Sequence, residues 1–430
     1  MNTVQRKTLL AASIAAVIAS TGATTSLAAE EETHILEEVI VSATKRAESL
    51  QDVGMSVSAL SKDNLEKMGA SDFDSYLPML TGVNFNDDGG SNKKLVLRGV
   101  SDGMGRDVQT QSTVAVYIND TPFSNANNGF PDSQMFDIEQ VELLRGPQGT
   151  LYGSASLGGT LRIITSKANP EKFEAKVETT YSSTKNGEDS YAVNAMVNLP
   201  ISDNVAARLV GYTRTDGGFI DQVQLGIDDW NETKVSGLRA SLLVNATDNF
   251  SVDLTAIIQQ TDADGRARHM PAMGDLKLDG PIAETRESDF TLVGLTMRYD
   301  LGWAELFSSS SYNEADGVSL IDFSDVAYSL IQAIYLGFGA TDTYGALGQT
   351  RSETASAWHE WRTTETYVQE IRLTSQTEGN LDWIIGGFYS TEDQGQKQRS
   401  VYEQLSEGLA PVGFSAFVQE GGLLYLGENY

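Results

Sequence analysis

Apolar and polar residues alternate along most of the chain after residue 168. Phe173, Ala175, Val177 and Tyr181 share one parity, and the intervening Glu174 and Lys176 are charged. The same alternation recurs in segments 191–199, 238–245, 250–259 and 381–389. A two-residue period gives each segment one apolar and one polar face, so the pattern predicts antiparallel β-strands with one apolar face.

The segments between these predicted strands alternate in length. Residues 200–204 and 246–250 are tight turns, whereas 216–232 and 261–288 are long. Short turns alternating with long loops are typical of an outer-membrane β-barrel, and a soluble sandwich or propeller is the alternative. At about ten residues per strand, we expect roughly ten to twelve strands in the chain.

Residues 29–166 have a mixed pattern instead, which predicts one compact α+β domain of about 130 residues. Its short runs of β-branched and apolar residues predict strands, its helical patterns predict two helices, and its Gly/Asn/Asp clusters predict loops. The strands are expected at 39–41, 94–97, 114–118 and 161–165, the helices at 61–68 and 71–80, and the loops at 84–92 and 101–107.

The N-terminus has the pattern of a secretory signal peptide. Arg6 and Lys7 precede an apolar run over 9–18, and small residues at positions 26 and 28 predict cleavage after Ala28. The apolar run is too short to span a bilayer, which takes about twenty residues. We therefore expect an exported chain, with an uncleaved anchor as the alternative.

Composition excludes several classes of function. The 30 basic and 59 acidic residues give a net charge of −29, which argues against nucleic acid as a partner. The chain has no cysteine, so disulfides and thiolate sites are excluded. Three scattered histidines predict no metal site. His359-Glu360 is the sole adjacent His/Glu pair in the sequence, and we expect no cofactor and no catalysis.

A segment near the predicted mature N-terminus carries the sequence Glu37-Glu-Val-Ile-Val-Ser-Ala-Thr-Lys-Arg46. It has an acidic start and a β-branched centre, and we expect no partner strand nearby in the sequence. An exposed segment of this kind can add to the sheet edge of another protein through backbone hydrogen bonds. An ordinary first strand of the domain is the alternative, and the physical pattern alone favours it.

A second segment, residues 141–165, is dense in glycine between strand-like runs. Gly146, Gly149, Gly153, Gly158 and Gly159 indicate positive φ angles or close backbone approach in a packed domain. No Gly-Lys-Ser/Thr follows, so this segment is not a phosphate loop.

On these motifs the chain resembles the TonB-dependent outer-membrane receptors. Residues 38–43 resemble the TonB box, and the runs 95–99, 114–120 and 141–165 resemble motifs of the family's plug domain. Runs 367–374 and 381–389 resemble segments of its barrel. The resemblance implies a signal peptide over 1–28, a periplasmic segment over 29–46, a plug over 47–168 and the N-terminal part of a transmembrane β-barrel over 169–430.

The family closes about 22 strands around its plug, and about 260 residues cannot supply that number. We therefore expect this chain to be the N-terminal part of a longer or truncated receptor. The alternative is a short member that pairs with another polypeptide.

The resemblance also implies roles for individual residues. The TonB-binding segment would be Glu38, Val39, Ile40, Val41, Ser42 and Ala43. The structural motif of the plug would comprise Arg98, Gly99, Glu142, Arg145, Gly146, Pro147, Tyr152, Gly153, Gly158 and Gly159, with Arg98 and Arg145 as interior cations paired with carboxylates. The ligand-facing loops would be 84–92, 101–107 and 122–131, with candidates Asn86, Asp87, Arg106, Phe123 and Phe130.

The implied function is active uptake rather than catalysis. The expected partners are TonB with its inner-membrane energising complex, outer-membrane lipid and an extracellular ligand, for which a ferric siderophore is the first expectation. A receptor of the same architecture for an oligosaccharide, an aromatic compound or cobalamin is the alternative. A passive pore is a third possibility, which the box and the plug motifs argue against.

Overall fold

A computed structural model describes residues 39–70, 72–87, 93–100, 112–123, 135–153, 155–324, 356–376 and 381–402, and two short pairs further on. The predicted signal peptide, Glu38, Arg106 and Phe130 lie outside these ranges. Among the described residues, no helix has both the length and the apolar character to cross a membrane.

A five-stranded mixed sheet forms the centre of the N-terminal domain. Its strands lie in the order β3-β8-β9-β6-β7, and β6 and β9 are its one parallel pair. Two small hairpins flank this sheet, one formed by β1 and β2 and the other by β4 and β5. The bounds are β1 Ile40–Val41, β2 Glu48–Ser49, β3 Val57–Ser61, β4 Val83–Asp87, β5 Lys93–Leu97, β6 Val114–Ile118, β7 Thr121–Phe123, β8 Ile138–Arg145 and β9 Gly159–Thr165.

Both predicted helices of this domain are present. The helix Lys62–Met68 is capped by the Ser61 hydroxyl, and Phe73–Tyr76 begins with a capping box between Asp72 and Ser75. The second helix is shorter than expected and continues as a 3-10 turn, Leu77–Met79, because Pro78 lacks the N–H that the α-helical ladder needs. A further short helix spans Gly149–Tyr152.

The strand predictions for this domain were incomplete. The strands expected at 94–97, 114–118 and 161–165 are confirmed, but residues 84–87, expected to be part of a loop, belong to β4. Strands β3 and β8 were not predicted. The α+β class of the domain is confirmed.

A nine-stranded antiparallel sheet follows the N-terminal domain. Its strands pair in chain order, apart from the loop strands β13 and β16, which lie outside it. The bounds are β10 Glu174–Ser183, β11 Asp189–Ser202, β12 Val205–Asp216, β14 Thr233–Thr247, β15 Phe250–Ala263, β17 Thr285–Asp300, β18 Ala304–Asp322, β19 Ser356–Ser375 and β20 Ile384–Tyr402. The described residues give nine strands of this sheet, and some reach 20 residues, which is longer than the ten or so assumed from the sequence.

Connections at the two ends of this sheet differ in length, as predicted. Residues 203–204, 248–249 and 301–303 make tight turns at one end, while 217–232 and 264–284 are long loops at the other. These two long loops fold together: β13 Asp221–Gln222 pairs in parallel with β16 Lys277–Leu278. The 3-10 turn Pro271–Met273 lies in the second loop. Two short strands, β21 Val418–Gln419 and β22 Leu423–Leu424, pair with each other.

Polarity across the sheet is the reverse of that in a soluble protein. Outward positions such as Leu254, Val293 and Tyr299 are exposed, whereas the inward Arg208, Arg239 and Asn194 are buried. Outward rings also pair, as Phe250 does with Tyr299 near the tight turns. An apolar outer surface with aromatic residues toward its edges and a polar interior is the pattern of a transmembrane barrel, so the predicted barrel sheet is confirmed over the soluble sandwich.

The inner face of this sheet holds the N-terminal domain. Phe123 of β7 meets Phe290 of β17 edge to face, with ring centroids 4.8 Å apart. Asp137, just before β8, accepts hydrogen bonds from Arg208 Nε at 2.8 Å and from Arg239 Nη2 at 3.1 Å. Apolar packing and ion pairs therefore both join the domain to the wall.

Gly159 begins β9 at a point where the backbone leaves no room for a side chain. Its φ is +155°, and a Cβ there would lie 2.3 Å from the carbonyl oxygen of Leu144. We expect Gly159→Ala to destabilise the N-terminal domain by about 2–4 kcal/mol, through overpacking and backbone strain. Hydrogen exchange of the β8 and β9 amides measures this loss.

The control is Gly149→Ala, because Gly149 has an ordinary φ, lies in a helix and has open space around its Cβ position. Unchanged exchange in β9 of the Gly159 variant would contradict the close-approach explanation.

Candidate functional site

The segment singled out near the mature N-terminus is folded back on itself. β1 pairs with β2, with Val41 opposite Glu48, and the Leu50 amide donates to the Val39 carbonyl at 2.9 Å. Lys45 adopts a left-handed φ of 64°, which lets the chain reverse. The expectation that no partner strand lies nearby was therefore wrong, because a tight hairpin supplies one. We call residues 39–49 the N-terminal hairpin.

One face of the N-terminal hairpin is buried in the domain. Val41 is 1% exposed and Ala43 is 0% exposed, and both pack in a small core with Tyr117, Leu144 and Tyr152. Ile40, on the other face, is 49% exposed. The hairpin is thus docked by alternate side chains, as expected for a strand with a single apolar face.

A buried ion pair anchors the backbone of the hairpin. Glu142 Oε1 accepts from the Ser42 amide at 2.8 Å, and Arg162 Nη1 donates to the Ser42 hydroxyl at 2.7 Å. Arg162 and Glu142 pair directly at 2.5 Å, and both side chains are almost fully buried. The Tyr152 hydroxyl donates a hydrogen bond to the Ala43 carbonyl oxygen, 2.7 Å away. Three side chains of the sheet and the short helix therefore hold two consecutive residues of the hairpin.

Electrostatics keep these groups in the forms that make those bonds. Burial raises the pKa of Tyr152 well above its usual range, so the hydroxyl remains a donor. Burial alone would lower the pKa of Arg162, but Tyr152 and Glu142 outweigh it and the pKa is raised. The Arg162 guanidinium is charged, and its nearest counter-charge is the Glu142 carboxylate that also binds the hairpin.

A second group of ion pairs joins the hairpin region to the barrel wall. Lys45 Nζ lies 3.4 Å from Glu370 of β19 and above the ring of Tyr152, and burial lowers the pKa of Lys45. Arg46 reaches Asp382 at 3.0 Å. The residues that follow the docked strand are therefore tied to the wall of the barrel.

Asp120 links the domain to the wall at the same level. It lies 2.7 Å from Arg298 of β17 and 3.9 Å from Arg162. Burial would raise the pKa of Asp120, but Arg298 and then Arg162 outweigh burial and hold the pKa below its usual range. One carboxylate therefore connects the anchor of the hairpin with a strand of the barrel.

Arg98 and Arg145, the two cations expected in the interior of the plug, lie nearer its surface. Arg98 is exposed and donates to the Ser56 hydroxyl at 3.2 Å, while Arg145 is half-buried and donates to the Thr81 carbonyl and the Ser58 hydroxyl. Arg98 is therefore not an interior cation. Within the described part of the chain neither arginine forms a carboxylate pair, and their pairing with carboxylates stays a prediction. Arg162 is the buried cation instead, and its signal in the sequence was a charge inside the apolar run 161–165.

The glycine-rich motif forms turns around the short helix. Gly146, Gly153 and Gly159 adopt positive φ angles of 91°, 69° and 155°, as the glycine pattern indicates, whereas Gly149 and Gly158 do not. Gly99, outside this segment, has a positive φ of 79°. Pro147 is exposed in the turn after β8.

The ligand-loop candidates are brought together only in part. Asn86 and Asp87 end β4, and Arg106 and Phe130 lie outside the described residues. Phe123 is 2% exposed and packs on Phe290, so it does not face the exterior and that prediction was wrong.

The local His/Glu pair has its two side chains on opposite faces of β19. His359 stacks on the outward Trp361, whereas Glu360 accepts from the inward Arg362. Successive residues of a strand point to opposite faces, so these two cannot act together on one substrate.

Comparison with known proteins identifies the N-terminal domain. The family model of the TonB-dependent receptor plug domain matches residues 49–160. The chain is 29% identical over 264 residues to the ferrioxamine B receptor of Salmonella typhimurium, covering 59% of this chain and 35% of that protein. It is 27% identical over 189 residues to an iron-regulated outer membrane virulence protein of Vibrio cholerae, covering 43% and 28%. The chain thus spans about a third of the length of these relatives.

Solved structures share the fold. The ferric yersiniabactin uptake receptor of Yersinia pestis aligns with a TM-score of 0.65 at 20% identity, covering 82% of this chain and 50% of that one. The ferripyoverdine receptor of Pseudomonas aeruginosa aligns with a TM-score of 0.62 at 16% identity, covering 98% and 54%. At these identities the likeness establishes the plug-and-barrel fold alone.

We expect Glu142→Gln to loosen the N-terminal hairpin, because it leaves the buried Arg162 without its closest carboxylate, at a cost of about 3–5 kcal/mol. A spin label on Ile40→Cys, the exposed position of β1, reports this as increased mobility. The control is Glu139→Gln, an exposed carboxylate on the same strand. An unchanged spectrum in the Glu142 variant would show that the ion pair does not hold the hairpin.

Proposed function

Because the chain belongs to the TonB-dependent outer-membrane receptors, we propose that it serves the active uptake of a ferric siderophore or a similar iron complex. The iron complex binds on the extracellular side of the plug and barrel. TonB then captures residues 38–43 on the periplasmic side and draws on the inner-membrane proton gradient.

The docked hairpin is the observation that carries this proposal. A two-residue strand held by Val41, Ala43 and a few polar bonds is only marginally stable on its own, since two-stranded hairpins are marginal in water. Its backbone can therefore leave β2 and pair with the sheet edge of another protein, where main-chain hydrogen bonds give affinity. The β-branched residues of 38–43 therefore suit a partner protein that binds this segment as an added strand of its own sheet.

The ion pairs around Asp120 supply a route by which the barrel can influence the hairpin. Arg298 of the wall and Arg162 of the anchor share Asp120, so a shift of one cation changes the field at the other. A ligand that rearranges the plug near β7 would weaken the hold on Ser42 through this shared carboxylate.

The relatives support iron complexes as the class of ligand. The names of the ferrioxamine B receptor and the ferric yersiniabactin uptake receptor both refer to iron chelates. A vitamin receptor is the second candidate, because the chain is also 30% identical over 145 residues to the vitamin B12 transporter of Vibrio vulnificus. For either ligand we expect transport without chemical conversion.

Uptake of radioactive iron, supplied as a panel of ferric siderophores that includes ferrioxamine B, tests the proposal in cells that produce the receptor. We expect Val41→Pro to reduce uptake at least tenfold and to leave binding to isolated outer membranes unchanged, because proline removes the N–H needed for strand pairing. Asp52→Asn, an exposed position outside the segment, is the control.

Cyanocobalamin uptake in the same cells, with no ferric complex bound, would favour the vitamin candidate. Equal uptake by the Val41 variant and the parent would contradict dependence on TonB.

A further inference from the structure

The outward face of β17 to β20 carries a row of carboxylates at the point where its apolar band ends. Asp289 lies directly opposite Asp316, and Glu365 lies directly opposite both Glu314 and Asp393. We call these five residues the carboxylate row. Like charges directly opposite each other repel, and charged side chains on the lipid-facing side of a barrel are unfavourable within the hydrocarbon. The carboxylate row therefore marks the edge of the surface that faces the acyl chains.

A second group of outward side chains lies beyond this row, toward the long loops. It consists of two residues from each of β18, β19 and β20, and we call it the outer patch. Its members are Leu320 and Val318, His359 and Trp361, and Arg399 and Lys397. Trp361 lies four residues beyond Glu365, or about 13 Å along the strand at about 3.3 Å per residue. The carboxylate row thus separates the outer patch from the membrane-facing apolar band.

Strand register sets the three columns of the outer patch side by side. Trp361 has Val318 opposite it on one neighbouring strand and Lys397 opposite it on the other. Opposite Cβ atoms of an antiparallel pair lie about 4.5–5.5 Å apart. The rings of His359 and Trp361 stack at an interplanar angle of 14°, with centroids 5.8 Å apart. The outer patch is therefore a flat aromatic surface with an apolar border on one side and a cationic border on the other.

The cationic border faces rings rather than carboxylates. Lys397 and Arg399 are exposed, and each lies opposite an aromatic residue of β19. Toward the apolar band, the first outward carboxylate on their own strand is Asp393, four residues before Lys397. Within the residues that the structure describes, Arg399 forms no ion pair shorter than 4 Å. Its planar guanidinium matches two oxygens of a phosphate, so this border suits an anion of that kind.

The size and direction of the outer patch indicate what covers it. Six residues are far fewer than the roughly 20–30 that a stable protein interface takes on each side. The outer patch faces sideways, into the headgroup layer around the barrel, where aromatic and basic side chains are typical lipid contacts. A phosphate suits its cationic border, and the apolar face of a sugar ring suits its stacked rings. These features together fit a phosphorylated saccharide better than an acyl chain.

We propose that the outer patch binds the phosphorylated saccharide headgroup of an anionic glycolipid in the outer leaflet. Lys397 and Arg399 bind the phosphate, and the sugar ring lies against Trp361. The carboxylate row repels phosphates at the edge of the apolar band, so the headgroup is held one step further out. This contact concerns the seating of β18 to β20 in the membrane and depends on neither TonB nor an iron complex.

Fluorescence polarisation of labelled lipid, added to the purified receptor in detergent, tests the proposal. Three probes separate the sources of phosphate. They are lipopolysaccharide with a phosphorylated core, lipopolysaccharide whose core lacks phosphate, and lipid A alone, which has phosphates but no core saccharide. We expect the parent to bind the phosphorylated core most tightly, because it is the probe that presents both phosphate and sugar at the height of the outer patch.

Removal of the cationic border should weaken this binding selectively. We expect Lys397→Gln combined with Arg399→Gln to weaken binding of the phosphorylated core about tenfold, through loss of charged hydrogen bonds, and to leave lipid A binding unchanged. The matched control is Lys185→Gln combined with Lys277→Gln, which makes the same charge change at two exposed lysines outside the outer patch.

Removal of the ring tests the sugar contact separately. We expect Trp361→Ala to weaken binding of the phosphorylated core about fivefold, because the saccharide loses its flat contact surface. Trp303→Ala is the control, since Trp303 is 51% exposed and lies at the tight-turn end of the sheet. Unchanged hydrogen exchange of the β19 and β20 amides shows that each variant keeps its fold, and the single substitutions at 397 and 399 replace the double variant if it does not fold.

Equal binding of the phosphorylated core by the parent and the variant at 397 and 399 would overturn the proposal. An equal loss of lipid A binding would also overturn it, because the phosphate would then lie at the membrane edge and not in the core saccharide. A similar loss in the lysine control pair would show general attraction to charge instead of a site. None of these results bears on uptake, since lipid binding is measured without TonB or an iron complex.

Discussion

Charged groups on the inner wall of the barrel need partners, and this requirement fixes the plug in place. Arg208 and Arg239 point into the barrel and are almost fully buried, and both bind Asp137 of the plug. Burial would raise the pKa of Asp137, but the hydrogen bond from Arg208 and the charge of Arg239 outweigh it and lower the pKa. Removing one member of such a buried set costs about 3–5 kcal/mol, since a charge is left uncompensated. The plug therefore supplies carboxylates that neutralise buried arginines of the barrel wall, in addition to packing against that wall.

The same requirement explains why the N-terminal hairpin can be both held and released. Arg162 and Glu142 satisfy each other, and Ser42 of the hairpin joins this pair as an uncharged partner. Departure of the hairpin leaves the Arg162–Glu142 pair intact, although it breaks the ion pairs of Lys45 and Arg46 with the wall. Departure of the plug would leave Arg239 without Asp137 and Arg208 with Glu174 of β10 alone. The hairpin can therefore leave while the plug stays paired with the wall through Asp137 and Asp120.

Local patterns in the sequence predicted most of the architecture. Alternation predicted the barrel strands, because side-chain direction repeats every two residues whatever the distant contacts are. Site assignments failed where long-range packing decides. The family resemblance placed Phe123 in a ligand-facing loop, but Phe123 packs on Phe290, 167 positions later in the chain. Arg162 and Glu142 are 20 residues apart and meet only because β8 and β9 pair, so the buried cation was assigned to Arg98 and Arg145. The hairpin was missed because its turn depends on a left-handed Lys45, a conformation that its residue type does not indicate.

The stability of plug docking in Asp137→Asn tests this account most directly. Asp137 has a left-handed φ of 62°, which asparagine tolerates, so the substitution removes the charge and preserves shape and backbone. Hydrogen exchange of the plug amides in the purified chain measures docking, with Asp203→Asn in an exposed turn as the control. We expect the Asp137 variant to lose about 3–5 kcal/mol of protection at β8 and β9, because Arg208 and Arg239 lose their shared carboxylate. Protection equal to that of the parent would contradict the claim that buried charge pairing holds the plug to the wall.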